Sequence, residues 1–154
     1  MADVQEVKLE VYNPTHSFES KQAFAARLPD LNGKIIAEVA NPGWQFDRIF
    51  AEVEALLKEK YPTAKFINYK DLPELSNHAD VEGLEAALKA VGAQAAIISS
   101  AGWGSCSTSC GRAAARIEKI GIPTTIVTRQ GFTRIVANAF AGSGFPAEAP
   151  VTYE

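Results

Sequence analysis

From Gly33 onward the chain alternates short continuous apolar runs with longer stretches whose apolar residues recur at helical spacing, a pattern few architectures accept. KIIAEVAN, closed by the Pro42-Gly43 turn, reads as a buried strand over Lys34–Val39. In Phe46–Lys60, apolar residues at 46, 49, 50, 53, 56 and 57 mark one face of a helix. KFINYK reads as a second strand, and Val81–Val91 as a second helix with Leu84, Ala87, Leu88 and Val91 on one side. AAIISSA, small and apolar throughout, reads as a third strand that is fully buried. Gly111–Ile120 is a third helix closed by Gly121 and Pro123. TTIVTR is a fourth strand, Phe132–Ala141 a fourth helix and PVTY a final short strand.

Strands separated by helices predict a three-layer α/β fold. Its mainly parallel sheet of four to five strands is flavodoxin- or Rossmann-like, with right-handed crossovers. Residues 1–33 read as an N-terminal arm, in which VKLEVYNPT is an edge strand ended by Asn13-Pro14. Residues 34–154 read as a single α/β domain, the count expected for a chain of 154 residues.

A net charge of -3 with no basic stripe argues against nucleic acid or an acidic membrane surface as partner. MADVQEVKLEV lacks the basic start and apolar core of a secretory signal, and no apolar run approaches the ~20 residues that span a bilayer. A cytoplasmic chain is the expectation, with Cys106 and Cys110 reduced.

Parallel α/β sheets bind ligands beyond the carboxyl ends of their strands, near the switch in strand order. Three loops share that rim: Asn41 to Gln45, Ala101 to Cys110, and Thr128 to Phe132. The middle one is AGWGSCSTSCG, where every residue from Gly102 to Ser109 except Trp103 is Gly, Ser, Thr or Cys. Small residues between a buried strand and a helix let backbone approach a ligand and leave N–H groups open at the helix start. The partial positive charge there favours a thiolate, the reactive form of cysteine. Cys106 is therefore the candidate nucleophile and Cys110 a candidate second thiol. The alternative is a Gly/Ser-rich phosphate loop whose cysteines are small core residues. A disulfide between positions four apart on a helix has poor geometry. Two cysteines and the distant His16 and His78 do not make a metal site. GWGSCS lacks the closing glycine of G-x-G-x-x-G, so no nicotinamide or flavin cofactor is expected.

Around the cysteines, Gly104, Ser105 and Ser107 are candidate substrate-binding residues, through backbone N–H groups and hydroxyls that can cap the helix or hold an anion, as can Thr108 and Ser109. Trp103 can wall the pocket and stack on a flat or cationic ligand. Asn41 and Gln45 can orient a substrate by amide hydrogen bonds, and Arg129 can hold a carboxylate or phosphate bidentately. Arg112 is placed to favour the thiolate, and His78 to act as acid or base. Each of these has an ordinary structural alternative: a turn, a cap, a solvated charge.

At Trp103-Gly104-Ser105-Cys106 the sequence resembles the UGSC-like family, named for selenocysteine or cysteine followed by Gly-Ser-Cys. More distantly, the stretch through IEKIGIPTTIVT is similar to the selenoprotein B component of glycine, sarcosine and betaine reductases. VYNPT, RLPDLNGKIIAEVANPGWQFDRIF and SGFPAEAPVTYE extend the likeness over most of Glu10–Glu154. The resemblance implies reductive or thiol-mediated cleavage of a carbon–heteroatom bond in a small polar substrate. One departure limits it: where the family carries its selenol or thiol, this chain has Trp103, so no redox pair forms across positions 103 and 106. A non-redox cysteine lyase or hydrolase is a second expectation. A third is a small-ligand binding subunit without catalysis of its own. Because the chain ends on a strand with no helix after it, completion of the rim by a second copy or a different subunit is also expected.

Overall fold

The computed structural model describes residues 23–43, 45–75, 82–99, 103–146 and 152–153. Five strands form one sheet: β1 (Ile35–Ala40), β2 (Lys65–Ile67), β3 (Ala95–Ser99), β4 (Thr124–Arg129) and β5 (Thr152–Tyr153). Their order is β2-β1-β3-β4-β5 and all four pairings are parallel, the flavodoxin-like arrangement. Four helices alternate with them: α1 (Phe46–Lys60), α2 (Glu82–Ala90), α3 (Gly104–Lys119) and α4 (Thr133–Ala141). The expected class and strand count are both present.

The main core lies on one face of the sheet. Strand residues Ala37, Val39, Ala96, Ile98 and Ile126 meet Leu84 and Leu88 of α2, and α3 and α4 complete the cluster. On the opposite face, α1 is the one helix of eight or more residues among the described residues, and it reaches β3. Its Phe46 and Phe50 rings rest on Tyr69, with centroids 5.1 and 5.5 Å away. Beyond α1, a groove of about 410 Å³ stays open over β3 and β4, lined by Leu28, Leu31, Val53, Leu57, Ile97 and Val127. This corrects one expectation. β3 is not fully buried: Ala96 and Ile98 are covered by helices, whereas Ala95 and Ile97 face the groove and are half-buried.

Helix α1 has the bounds its periodicity predicts, and β4 those of its apolar run. β2 stops at Ile67 because the Asn68 side chain accepts the Lys70 N–H at 3.1 Å and turns Tyr69–Asp71 into a 3₁₀ turn. Before α4, Gln130–Phe132 form a second 3₁₀ turn, so the α-helix starts at Thr133. The largest difference is α3, which starts at Gly104 and not at Gly111. The Gly/Ser/Thr/Cys segment has weak helix propensity, but packing supplies what propensity does not. Cys106, Ser107, Ser109, Cys110 and Gly111 are all buried against the sheet and α4. The hydroxyls that would compete for backbone are taken up within the helix: Ser107 Oγ donates to the Trp103 carbonyl at 3.0 Å, and Thr108 Oγ1 to that of Gly104 at 3.1 Å.

Candidate active site

Strand order reverses between β1 and β3, and α3 begins directly beyond the carboxyl end of β3. The cysteine segment is therefore the first two turns of a helix at the switch point rather than a loop. Trp103 is the N-cap, extended at φ -129° and ψ 149°, and its indole is 65% exposed. The first intrahelical bond runs from the Ser107 N–H to the Trp103 carbonyl at 3.0 Å. The N–H groups of Gly104, Ser105 and Cys106 precede it, which is where a helix presents donors to an anion.

The turns of α3 sort its side chains. Cys106, Cys110, Ala113, Ala114 and Ile117 form the buried stripe, while Ser105 and Arg112 are exposed. Cys106 is the third helical residue and is buried, at 7% exposure. Cys110 lies one turn further in, wholly buried, with Sγ donating to the Ser99 carbonyl at 3.6 Å. Both are thiols. Arg112 falls on the outward side, lining a groove with Thr108, Ile135 and Asn138, so helix phase separates it from Cys106. Ser107 is also not an open donor, because its hydroxyl is used on the Trp103 carbonyl.

The first rim loop approaches the same place. The Asn41 N–H donates to the Ser99 carbonyl at 3.4 Å, so Asn41 and Cys110 converge on one oxygen. Asn41 is buried, and its side-chain Nδ2 has no hydrogen-bond partner. Gln45 caps α1 in a left-handed conformation, φ 54° and ψ 23°, and is the one non-glycine with positive φ among the described residues. At the third loop, alternation divides Thr128 from Arg129. Thr128 shares the face of buried Ile126, toward α3, and its Oγ1 has no partner. Arg129, exposed, takes the phase of Thr125 and Val127 on the groove face, away from α3. The structure thus brings Asn41, Gly104, Ser105, Cys106 and Cys110 to one side of the sheet and sets Arg129 on the other. His16, Trp44 and His78 lie outside the described residues.

Sequence reasoning missed Glu38. It stands in the middle of β1, is 1% exposed and has Oε2 unpartnered. Burial first, then the neighbouring Glu54 carboxylate, raise its pKa from 4.5 to about 7; a Tyr69 backbone hydrogen bond and Lys58 pull the other way. The signal was available: Glu38 is the one charged residue inside an otherwise apolar run. Among the described residues no group of three or more His, Cys, Asp or Glu side chains is placed to hold a metal ion, and no helix is long and apolar enough to cross a membrane.

Fold and site together define a doubly wound α/β protein with a cysteine in the first turn of the switch-point helix. The UGSC family model matches residues 10–154, and the chain belongs to that family. No curated protein and no solved structure matches it, and the expected similarity to selenoprotein B is not confirmed.

Proposed function

We propose that the chain is a cysteine-dependent enzyme that cleaves or reduces a carbon–heteroatom bond in a small polar substrate, with Cys106 as nucleophile. The observation that supports this reading is the place of Cys106: third residue of α3, at the switch point, in the helix's first turn, where the helix dipole favours negative charge. The Cys106 thiolate attacks carbon. A sulfur–carbon bond forms as the carbon–heteroatom bond breaks, and the heteroatom leaves with the electron pair and takes a proton. Water then displaces the sulfur in a hydrolytic cycle. In a reductive cycle a second thiol, Cys110 being the candidate, attacks the Cys106 sulfur. The carbon leaves with the electron pair and is protonated, and an external dithiol returns the disulfide to two thiols. Asn41 and Gln45 orient the substrate, and the Gly104 and Ser105 N–H groups stabilise developing charge.

Trp103 supports a second reading, a ligand-binding subunit without catalysis, because its exposed indole at the N-cap can stack on a flat or cationic ligand. Iodoacetamide at pH 7, with peptide mass mapping, separates the two. The enzyme reading expects Cys106 to be alkylated in the native protein faster than in the urea-unfolded chain, with Cys110 protected. Native labelling slower than unfolded labelling overturns it. Cellular location and the identity of an assembly partner belong to the same proposal: a cytoplasmic protein working in a homo- or hetero-oligomer.

A further inference from the structure

Two buried donors on the helix-covered face have nothing to bond to, and both stand at the same edge of the sheet. Asn41 follows β1, Thr128 lies near the end of β4, and β3 runs between them. Register makes them a row: Ala40 pairs with Ser99, Ser99 pairs with Val127, and Asn41 and Thr128 are each one residue further on. Alternation puts both on the face of Val39 and Ile126, the face against which Cys110 and Ala113 of α3 pack. Asn41 is 2% exposed and Thr128 0%, and neither Asn41 Nδ2 nor Thr128 Oγ1 has a hydrogen-bond partner. Leaving a buried donor unmatched is costly and rare in folded proteins, so two in one row at a helix start call for an acceptor. With strands ~4.8 Å apart the two positions are separated by roughly 10 Å, room for a small group held between them and the helix.

We propose that this row and the first turn of α3 form a binding site for a small oxyanion, a carboxylate or phosphate group carried by the substrate. Asn41 Nδ2 and Thr128 Oγ1 donate from the strand ends, and the Gly104 and Ser105 N–H groups donate from the helix. Arg129 takes no part, since its phase directs it to the groove face. The inference rests on the Cys106 reading only in treating the anion as part of a substrate, and the site stands or falls by direct binding.

Amide chemical shifts read that binding without chemistry at sulfur. Acetate and inorganic phosphate are titrated separately, with acetamide as the neutral control. Saturable shifts of the Gly104 and Ser105 N–H and of the Asn41 side-chain amide with either anion, absent with acetamide, are expected. The anion that saturates at the lower concentration identifies the group. No saturable shift at these three positions overturns the site. Thr128→Val, nearly isosteric, is expected to weaken the anion at least 10-fold, and unchanged affinity would remove Thr128 from the site. Alkylation then separates this inference from the nucleophile. The iodoacetate-to-iodoacetamide rate ratio at Cys106 is expected to exceed that of the unfolded chain 10-fold and to fall in Thr128→Val. A ratio equal to the unfolded value overturns the alignment of anion and thiol while leaving the nucleophile in place. Anion-dependent shifts with Cys106 inert to both reagents leave the oxyanion site standing and remove the nucleophile.

Discussion

The backbone N–H of Thr124, first residue of β4, donates to the Glu118 carboxylate at 2.6 Å, closing the turn between α3 and its following strand from the inside. The same carboxylate accepts the Thr124 hydroxyl at 2.8 Å, the Ala25 N–H at 2.7 Å and the Arg27 guanidinium at 2.5 Å. One buried side chain thus ties residues 25–27 to the sheet.

Removing that acceptor strands three inner donors, the Thr124 N–H and hydroxyl and the Ala25 N–H, while removing Arg27 leaves the buried carboxylate those three hydrogen bonds but no counter-charge. Glu118 is buried and the Arg27 side chain is 52% exposed, so the pair is asymmetric. Glu118→Ala is expected to cost about 3–5 kcal/mol, since each stranded inner donor costs about 1–3 kcal/mol. Arg27→Ala should cost less, about 1.5–3 kcal/mol, because the buried carboxylate loses one charged partner and keeps three hydrogen bonds. Urea titration of both variants checks this, and equal losses would contradict it.

A second prediction concerns the approach of α3 to α4. A Cβ on Gly111 would lie 2.7 Å from the Ala139 Cβ and 3.2 Å from the Val136 carbonyl. Gly111→Ala gains about 1 kcal/mol of helix propensity but overpacks a contact that costs ~1–3 kcal/mol, and the clash wins because backbone cannot yield as a side chain can. The expected outcome is a lower Tm, partly restored by adding Ala139→Gly. Gly83→Ala, with nothing within 4 Å, should show the propensity gain alone.

Gly111 also shows what was legible in the sequence and what was not. Of the elements whose signal is periodicity or an apolar run, α1 and β4 were readable with their bounds, while β2 ended three residues before its predicted end because Asn68 starts a 3₁₀ turn. The start of α3 was not, because glycine and serine read as loop whenever their partners are unknown. Only the fold reveals that small residues there are a contact surface for the sheet and α4. Cys106 was readable as a helix-start cysteine, but its separation from Arg112 and Arg129 needed helix phase and strand register. Thr128 became visible as an unmatched donor only once burial showed its hydroxyl without a partner, whereas Glu38, a charge inside an apolar run, was open to a sequence reading that passed it over.

The left-handed Gln45 yields a third prediction. A non-glycine there stores strain of order 1 kcal/mol, and such strain persists where the surroundings hold it in place. Gln45→Gly is expected to raise stability by about 0.5–1 kcal/mol, measured by urea denaturation, by relieving φ at the N-cap of α1. Under the proposed function the same change removes an amide that orients substrate, so binding weakens as stability rises. A destabilised Gln45→Gly would show that the side chain, and not the backbone, governs this turn.

Glu38 carries the pH prediction. Burial, and then the Glu54 carboxylate that it hydrogen-bonds, raise its pKa from 4.5 to about 7, against the opposing Tyr69 backbone hydrogen bond and Lys58. The folded chain therefore holds a proton that the unfolded chain has released. Stability from this group is full below about 4.5, falls as pH rises through about 7, and is gone above it. The total is of order 3 kcal/mol, from ~1.4 kcal/mol per pKa unit. Glu38→Gln keeps the shape and can still donate to Glu54, but cannot ionise. Urea titrations at pH 5, 6, 7 and 8 are expected to show the native chain losing stability across that range relative to the variant. Parallel curves would mean that Glu38 is ionised throughout and that its burial is matched by Lys58 instead.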